Sequence, residues 1–202
     1  MGVSLDPSQE ELASLLQAAS RGDPQAWREL VNRYSRRVYA LAKSRCRNDD
    51  VAEEIAQSVF ATVAVKLRAG EYTESGRFEP WLFRVAMNRV RDSIRKARRN
   101  PETHDDSVFI HTAHREPDEP AFDAAAIGRL RSAMTELSEA DREIIELRHH
   151  GGLSFKQIAD ILEEPVGTLL ARHHRALKKL KEALDPSPEG LPENVPNRED
   201  RE

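Results

Sequence analysis

Residues 153–184 read LSFKQIADILEEPVGTLLARHHRALKKLKEAL, and the spacing inside this stretch decides the fold. Ser154 and Gln157 stand three apart, the pattern of a capping box, in which two side chains satisfy orphan backbone N–H groups at a helix start. Phe155, Ile158, Ala159 and Leu162 then recur at helical spacing along one face. Glu163-Glu164-Pro165 interrupts that pattern and a second one follows. Wound at ~100° per residue, it gathers Val166, Leu169, Leu170, His173, Leu177, Leu180 and Leu184 on one side. Thr168, Arg172, Arg175, Lys178 and Lys179 gather on the other. Two helices across a tight turn, the second basic on its free face, predict a helix-turn-helix. Its cations suit phosphates, and side chains near the helix start would reach base edges. An amphipathic helix with a solvated basic face would carry the same pattern.

Working back toward the N-terminus, Ser138–His149 and Asp123–Glu136 read as two more helices ahead of the Gly151-Gly152 break. Residues 100–123, NPETHDDSVFIHTAHREPDEPAFD, hold three prolines and seven acids without apolar periodicity, which predicts a flexible acidic linker. Earlier still, helical patterns cover Gln9–Ser20, Pro24 to about Arg45, Val51–Leu67 and about Glu79–Arg99, with Asp23 capping the second and Pro24 opening it. No sustained period-two alternation occurs. The expected fold is all-α: two small helical domains, residues 1–100 and 123–185, joined by a linker over 101–122 and followed by a disordered tail over 186–202.

The last helix of the first domain carries two stripes. Phe83, Met87, Val90, Ile94 and Ala97 form an apolar one. Arg84, Asn88, Arg91, Arg95 and Arg99, with Arg98 beside them, form a basic one about 22 Å long at ~1.5 Å rise per residue. Arginines so arrayed favour a polyanion. On the helix before it, Val51, Ile55, Val59 and Thr62 point inward, while Phe60, Ala61 and Ala64 share the outer face with Glu53 and Gln57. That outer face needs a cover, either a partner protein or a third layer of the same domain.

The net charge of −4 hides a strong segregation: −3 over residues 1–20, +8 over 21–100, −6 over 101–126, +1 over 127–184 and −4 over 185–202. A basic block followed by an acidic connector fits a nucleic-acid binder. The lone Cys46 allows no internal disulfide and suits a reducing cytoplasm; its place between Arg45 and Arg47 leaves open a lowered thiol pKa. No membrane span and no signal pattern is expected. No phosphate loop, nucleophile motif or metal motif is present, so neither enzymatic activity nor a cofactor is expected. Adjacent histidines such as His149-His150 and His173-His174 point different ways on a helix and predict no metal site.

VAEEIAQSVF (51–60), FEPWLFRVAMNRVRDSIRKARR (78–99) and LSEADREIIELRHHGGLSFKQIADILEEPVGTLLARHHRALKKLKEAL (137–184) resemble, in that order, regions two and four of extracytoplasmic-function sigma factors. The resemblance implies that the third helix docks on the coiled-coil clamp helices of the largest subunit of bacterial RNA polymerase, through Glu53, Glu54, Gln57 and Phe60. Glu54 and Gln57 stand at the family's contact positions, whereas Ser58 stands where the family usually has an acid. The loop 68–77, with Arg77, and the start of the fourth helix would capture a flipped base of the upstream-ten promoter element. Arg84, Asn88, Arg91, Arg95, Arg98 and Arg99 would line the DNA beside it. Trp81 and Phe83 could stack on a base or pack in the core.

The second domain would read the upstream thirty-five element through Thr168, Ala171, Arg172, Arg175, Lys178 and Lys179, and meet the polymerase flap region. Here VGTLLARHHRA departs from the family's VGTVKSRLHRA: Leu170, Ala171 and His173 replace a lysine, a serine and a core leucine. A separate anti-sigma factor is a further implied partner. The competing reading is a helix-turn-helix regulator that acts without core polymerase.

Overall fold

The computed structural model describes residues 7–99 and 124–184, and these are helical apart from turns and short loops. The expected linker and tail lie outside the described residues. Eight helices run in order among them: α1 Pro7–Ser20, α2 Pro24–Cys46, α3 Asp49–Arg68, α4 Phe78–Arg99, α5 Ala124–Glu136, α6 Glu139–His149, α7 Phe155–Leu162 and α8 Val166–Leu184. All eight match the helical patterns of the sequence, their ends within a residue or two of the cap signals.

The caps explain that agreement. The Asp23 carboxylate accepts from the Gln25 N–H at 2.8 Å, and Asn48 accepts from Val51 at 3.0 Å, satisfying donors that a helix start leaves orphaned. Ser154 and Gln157 form the reciprocal capping box at 3.2 and 2.8 Å. The α6–α7 turn needs both of its glycines. A Cβ on Gly151 would stand 2.5 Å from the Leu147 carbonyl oxygen, and Gly152 has φ +62°.

Helices α1–α4 bury Leu30, Tyr34, Val38, Leu41, Val59, Leu82, Phe83 and Met87 in one apolar cluster, each such side chain contributing roughly 1.5–3 kcal/mol. That cluster does not stop at the first unit. It continues through Ile144 and Leu147 of α6, Leu153 of the turn that follows, Ile158 and Ile161 of α7, and Leu169 of α8. A second, smaller cluster of Ala133, Leu137, Ile145, Ala176 and Leu180 belongs to α5, α6 and α8 alone. The two units read from the sequence are therefore packed together, chiefly α4 on α7 and α2 on α6. The wheel of α8 shifts accordingly. Its buried line is Leu169, Ala176 and Leu180, whereas Val166, Leu170 and Leu177 are exposed at 39–47%.

Candidate nucleic-acid and protein interfaces

On α3 the inward face is Ala52, Ile55, Val59, Val63 and Leu67. Glu53, Glu54 and Gln57 face solvent, with Gln57 one turn beyond the two glutamates. Phe60, placed on that outer face from the sequence, is instead 8% exposed and meets the edge of Trp27 at 6.4 Å between ring centroids. A layer of the same unit thus covers Phe60, while Ala61 and Val65 stay outside. A groove of about 380 Å³ separates α3 from α4 and is lined by Glu54, Ser58, Arg89 and Lys96 among others.

The basic stripe of α4 forms as the spacing predicts, with Phe83, Met87 and Val90 fully buried beneath it. Arg95, Arg98 and Arg99 are exposed at its C-terminal end, where cations also complement the helix dipole. Arg95 pairs with Asp92 on the same helix. The stripe's other half is already engaged. Arg91 donates from Nε and from its terminal nitrogen to the two carboxylate oxygens of Glu143 on α6, both at 2.9 Å. Arg84 donates to the Asp160 carbonyl at the end of α7 and lies 3.7 Å from the Glu163 carboxylate. Asn88 and Arg77 are exposed.

Further contacts join the units through Arg37 with Glu79 and through Arg45. Arg37 lies over the rings of Tyr34 and Phe83 at 5.5 and 5.0 Å and donates from Nε to the Gly151 carbonyl at 2.9 Å. Its other arm holds Glu79 at 2.7 Å, and Glu79 accepts from Gln157 at 2.8 Å. Arg45 and Glu146, both almost wholly buried, pair at 3.3 Å, and Arg45 also reaches Glu139. Burial pushes the Glu146 carboxyl up to about 7, although Arg45 and Arg142 pull it down. The sequence reading missed Arg37, Arg45, Glu79, Glu143 and Glu146. A signal existed in EADREIIELRHH, where Glu143 and Glu146 flank Ile144 and Leu147 on the apolar side.

In the loop before α4, Gly70 and Gly76 take positive φ, and Tyr72 folds over the start of the helix. Tyr72 stacks on Trp81 at 4.5 Å and bonds Glu74 at 2.8 Å. Trp81 is half-buried beside it, whereas Phe83 is core. On α8, Thr168, Ala171, Arg175, Lys178 and Lys179 are exposed. Arg172 turns inward, 2.7 Å from Glu164 and 3.5 Å from Asp141, so it braces the turn between α7 and α8. His173 stacks with His149 at 3.4 Å between Nε2 atoms, a meeting of two helices that sequence adjacency does not reveal. Burial and that neighbour lower the His173 pKa. Burial raises the Cys46 thiol pKa, and Arg45 beside it is turned to Glu146, so the lowered-pKa reading of Cys46 is not supported.

With this geometry in view, two family models match: Sigma-70 region 2 over residues 30–100, and Sigma-70, region 4, over residues 127–180. The chain is 30% identical over 163 residues to RNA polymerase sigma factor CarQ of Myxococcus xanthus, covering 81% of this chain and 91% of that one. It is 28% identical over 188 residues to the RNA polymerase sigma-H factor of Pseudomonas aeruginosa, covering 89% and 96%. The fold resembles that of CnrH in complex with the cytosolic domain of CnrY, at TM-score 0.64 and 23% identity, covering 87% and 97%. It also resembles the sigma factor RpoE in complex with the anti-sigma factor NepR from Bartonella quintana, at TM-score 0.60 and 25% identity, covering 78% and 96%.

Proposed function

The chain belongs to the extracytoplasmic-function sigma factors of bacterial RNA polymerase, and from that membership we propose how its surfaces divide the work. Glu53, Glu54 and Gln57 of α3 engage the clamp helices of the largest subunit, with Ala61 and Val65 extending the contact. Phe60 supports that face from inside the core. Arg77, Arg84, Asn88, Arg91, Arg95, Arg98 and Arg99 hold the upstream-ten DNA through its backbone. Trp81 and Tyr72, in ring contact at the mouth of the loop, offer an aromatic surface on which an unpaired base can stack, which every base's π-face permits.

In the second unit, Thr168, Ala171, Arg175, Lys178 and Lys179 meet the upstream thirty-five duplex, while Arg172 orients the helix. Residues 1–100 and 123–185 act as separate binding modules in the working complex. The protein acts by binding, in the cytoplasm, and catalysis stays with the polymerase. A separate anti-sigma factor, of the kind held by the similar RpoE structure, is its expected inhibitor.

The observation that carries this reading is the presence, on neighbouring helices of one unit, of an exposed acid-and-amide row on α3 and an arginine row on α4. One rigid body then holds polymerase and promoter at once. Gel filtration with purified core polymerase tests it. The wild-type chain should co-elute stoichiometrically and a Glu54→Lys/Gln57→Ala variant should not. A wild-type chain that runs alone while still binding DNA would return the autonomous regulator as the better reading.

A further inference from the structure

We propose that His149 of α6 and His173 of α8 form a site for a divalent metal ion that prefers nitrogen ligands, such as zinc, and that the ion clips the two helices together. Their Nε2 atoms stand 3.4 Å apart. Two imidazole nitrogens bound at ~2.05 Å to one tetrahedral ion lie about 3.3–3.4 Å from each other, so the spacing is that of two ligands on a shared ion. The rings are 17° from parallel with centroids 5.6 Å apart, farther than the nitrogens, so their Nε2 corners are turned toward each other. His149 with His150, or His173 with His174, cannot converge on one ion, because neighbours on a helix point about 100° apart. One histidine from each helix can. As the pair stands, one Nε2–H faces the lone pair of the other ring. Moving that proton to Nδ1 leaves a lone pair on both Nε2 atoms, and both rings stay neutral.

The surroundings hold both ligands in place and leave the ion a way in. His149 is the last residue of α6, and the turn that follows is tight enough that Gly151 admits no Cβ. His173 lies between Leu169 and Ala176, both fully buried, and Phe155 meets its ring edge-on at 5.1 Å. Two anchored elements therefore present the nitrogens. His149 is exposed and His173 half-buried, so water can complete the shell of the ion. Among the described residues no third histidine, cysteine or acid joins the pair, which makes this an open site of modest affinity. Arg148 is taken up by the Leu153 carbonyl at 2.8 Å and by the Phe155 ring at 5.4 Å. His173 stands about 160° around α8 from Arg175, so the clip leaves the basic face free.

Calorimetric titration of the chelator-stripped full-length chain with zinc chloride, in a Cys46→Ser background, tests the site. His104, His111 and His114 can also take up zinc, so the deciding quantity is the difference that single variants make. His149→Gln, at an exposed position, and His173→Leu, which keeps an apolar contact with Phe155, should each remove about one equivalent of zinc. His150→Gln and His174→Gln should bind as wild type does. Zinc at about ten times its Kd should raise the melting temperature by roughly 3–5 °C, and that rise should vanish in His149→Gln and in His173→Leu. Equal zinc uptake by wild type, His149→Gln and His173→Leu overturns the proposal. An equal loss in His150→Gln or His174→Gln overturns the pairing across the two helices. Uptake that depends on His149 and His173 but leaves the melting temperature unmoved overturns the clip.

Discussion

Two basic helices in this chain carry nearly the same charge pattern and stand in different circumstances. On α8, Arg175, Lys178 and Lys179 face solvent, and among the described residues a weak 3.8 Å pairing of Lys178 with Glu182 is the ion pair that touches them. On α4, Arg84 and Arg91 are held by the second unit, one of them through two charge-assisted bonds. A helical wheel states what a face can bind. Whether the face is free depends on contacts made by residues more than fifty positions away.

The largest expected effect tests what keeps the α4 row occupied. Glu146→Ala leaves the buried Arg45 with Glu139 as its remaining acid partner and should lower unfolding free energy by roughly 2–3 kcal/mol in urea titration. Replacing both partners, as Arg45→Met with Glu146→Leu, should recover most of that loss. If the single and double variants are equally destabilised, the pair does not act as a unit.

A smaller effect concerns pH. Burial raises the Glu146 carboxyl from an ordinary 4.5 to about 7, against the pull of Arg45 and Arg142 and with Glu143 adding to the rise. The folded state therefore holds a proton that the unfolded state releases. Its contribution is complete below about 4.5 and is lost as pH rises through about 7. His150 and His173 have lowered values and give the opposite slope, so the informative quantity is a difference. Urea midpoints from pH 5.5 to 8.5 should fall more steeply for wild type than for Glu146→Gln. Parallel curves would remove Glu146 from the account.

The smallest effect sharpens the other side of the comparison. Leu170 is 47% exposed beside the cations of α8 and contributes little to the core. Leu170→Lys should leave stability within ~0.5 kcal/mol and steepen the salt dependence of duplex DNA binding by about 0.9 in log–log slope. An unchanged slope would place position 170 away from the phosphates.

Local signals made the helices legible: Asp23 with Pro24, Asn48, Ser154 with Gln157, and Gly151-Gly152 each act within a few residues of themselves. The basic stripe of α4 was legible for the same reason, since a period of 3.6 residues is a local property. Phe60 was misplaced because α1 and Trp27 cover α3 from a side that the wheel of α3 cannot represent. The Leu170 side of α8 was assigned to the core because every leucine was weighted alike, whereas only Leu169 and Leu180 meet a neighbour closely. The acids of α6 escaped notice because a charged residue beside an apolar stripe ordinarily faces water. Here the cations that receive them come from α2 and α4.

Ile144 and Ile145 are neighbours in the chain yet belong to different cores, the first shared with α1–α4 and the second with α5 and α8. Helix α6 is thus a party wall between two rooms. Its Ile145 side is furnished by α5 and α8, and its Ile144 side by the first unit together with α7, so a single helix carries both contacts. The same wall limits sequence drift. A side chain on α6 cannot be reshaped for one room without being felt in the other, so the posture of the molecule and the integrity of its reading head are inherited together.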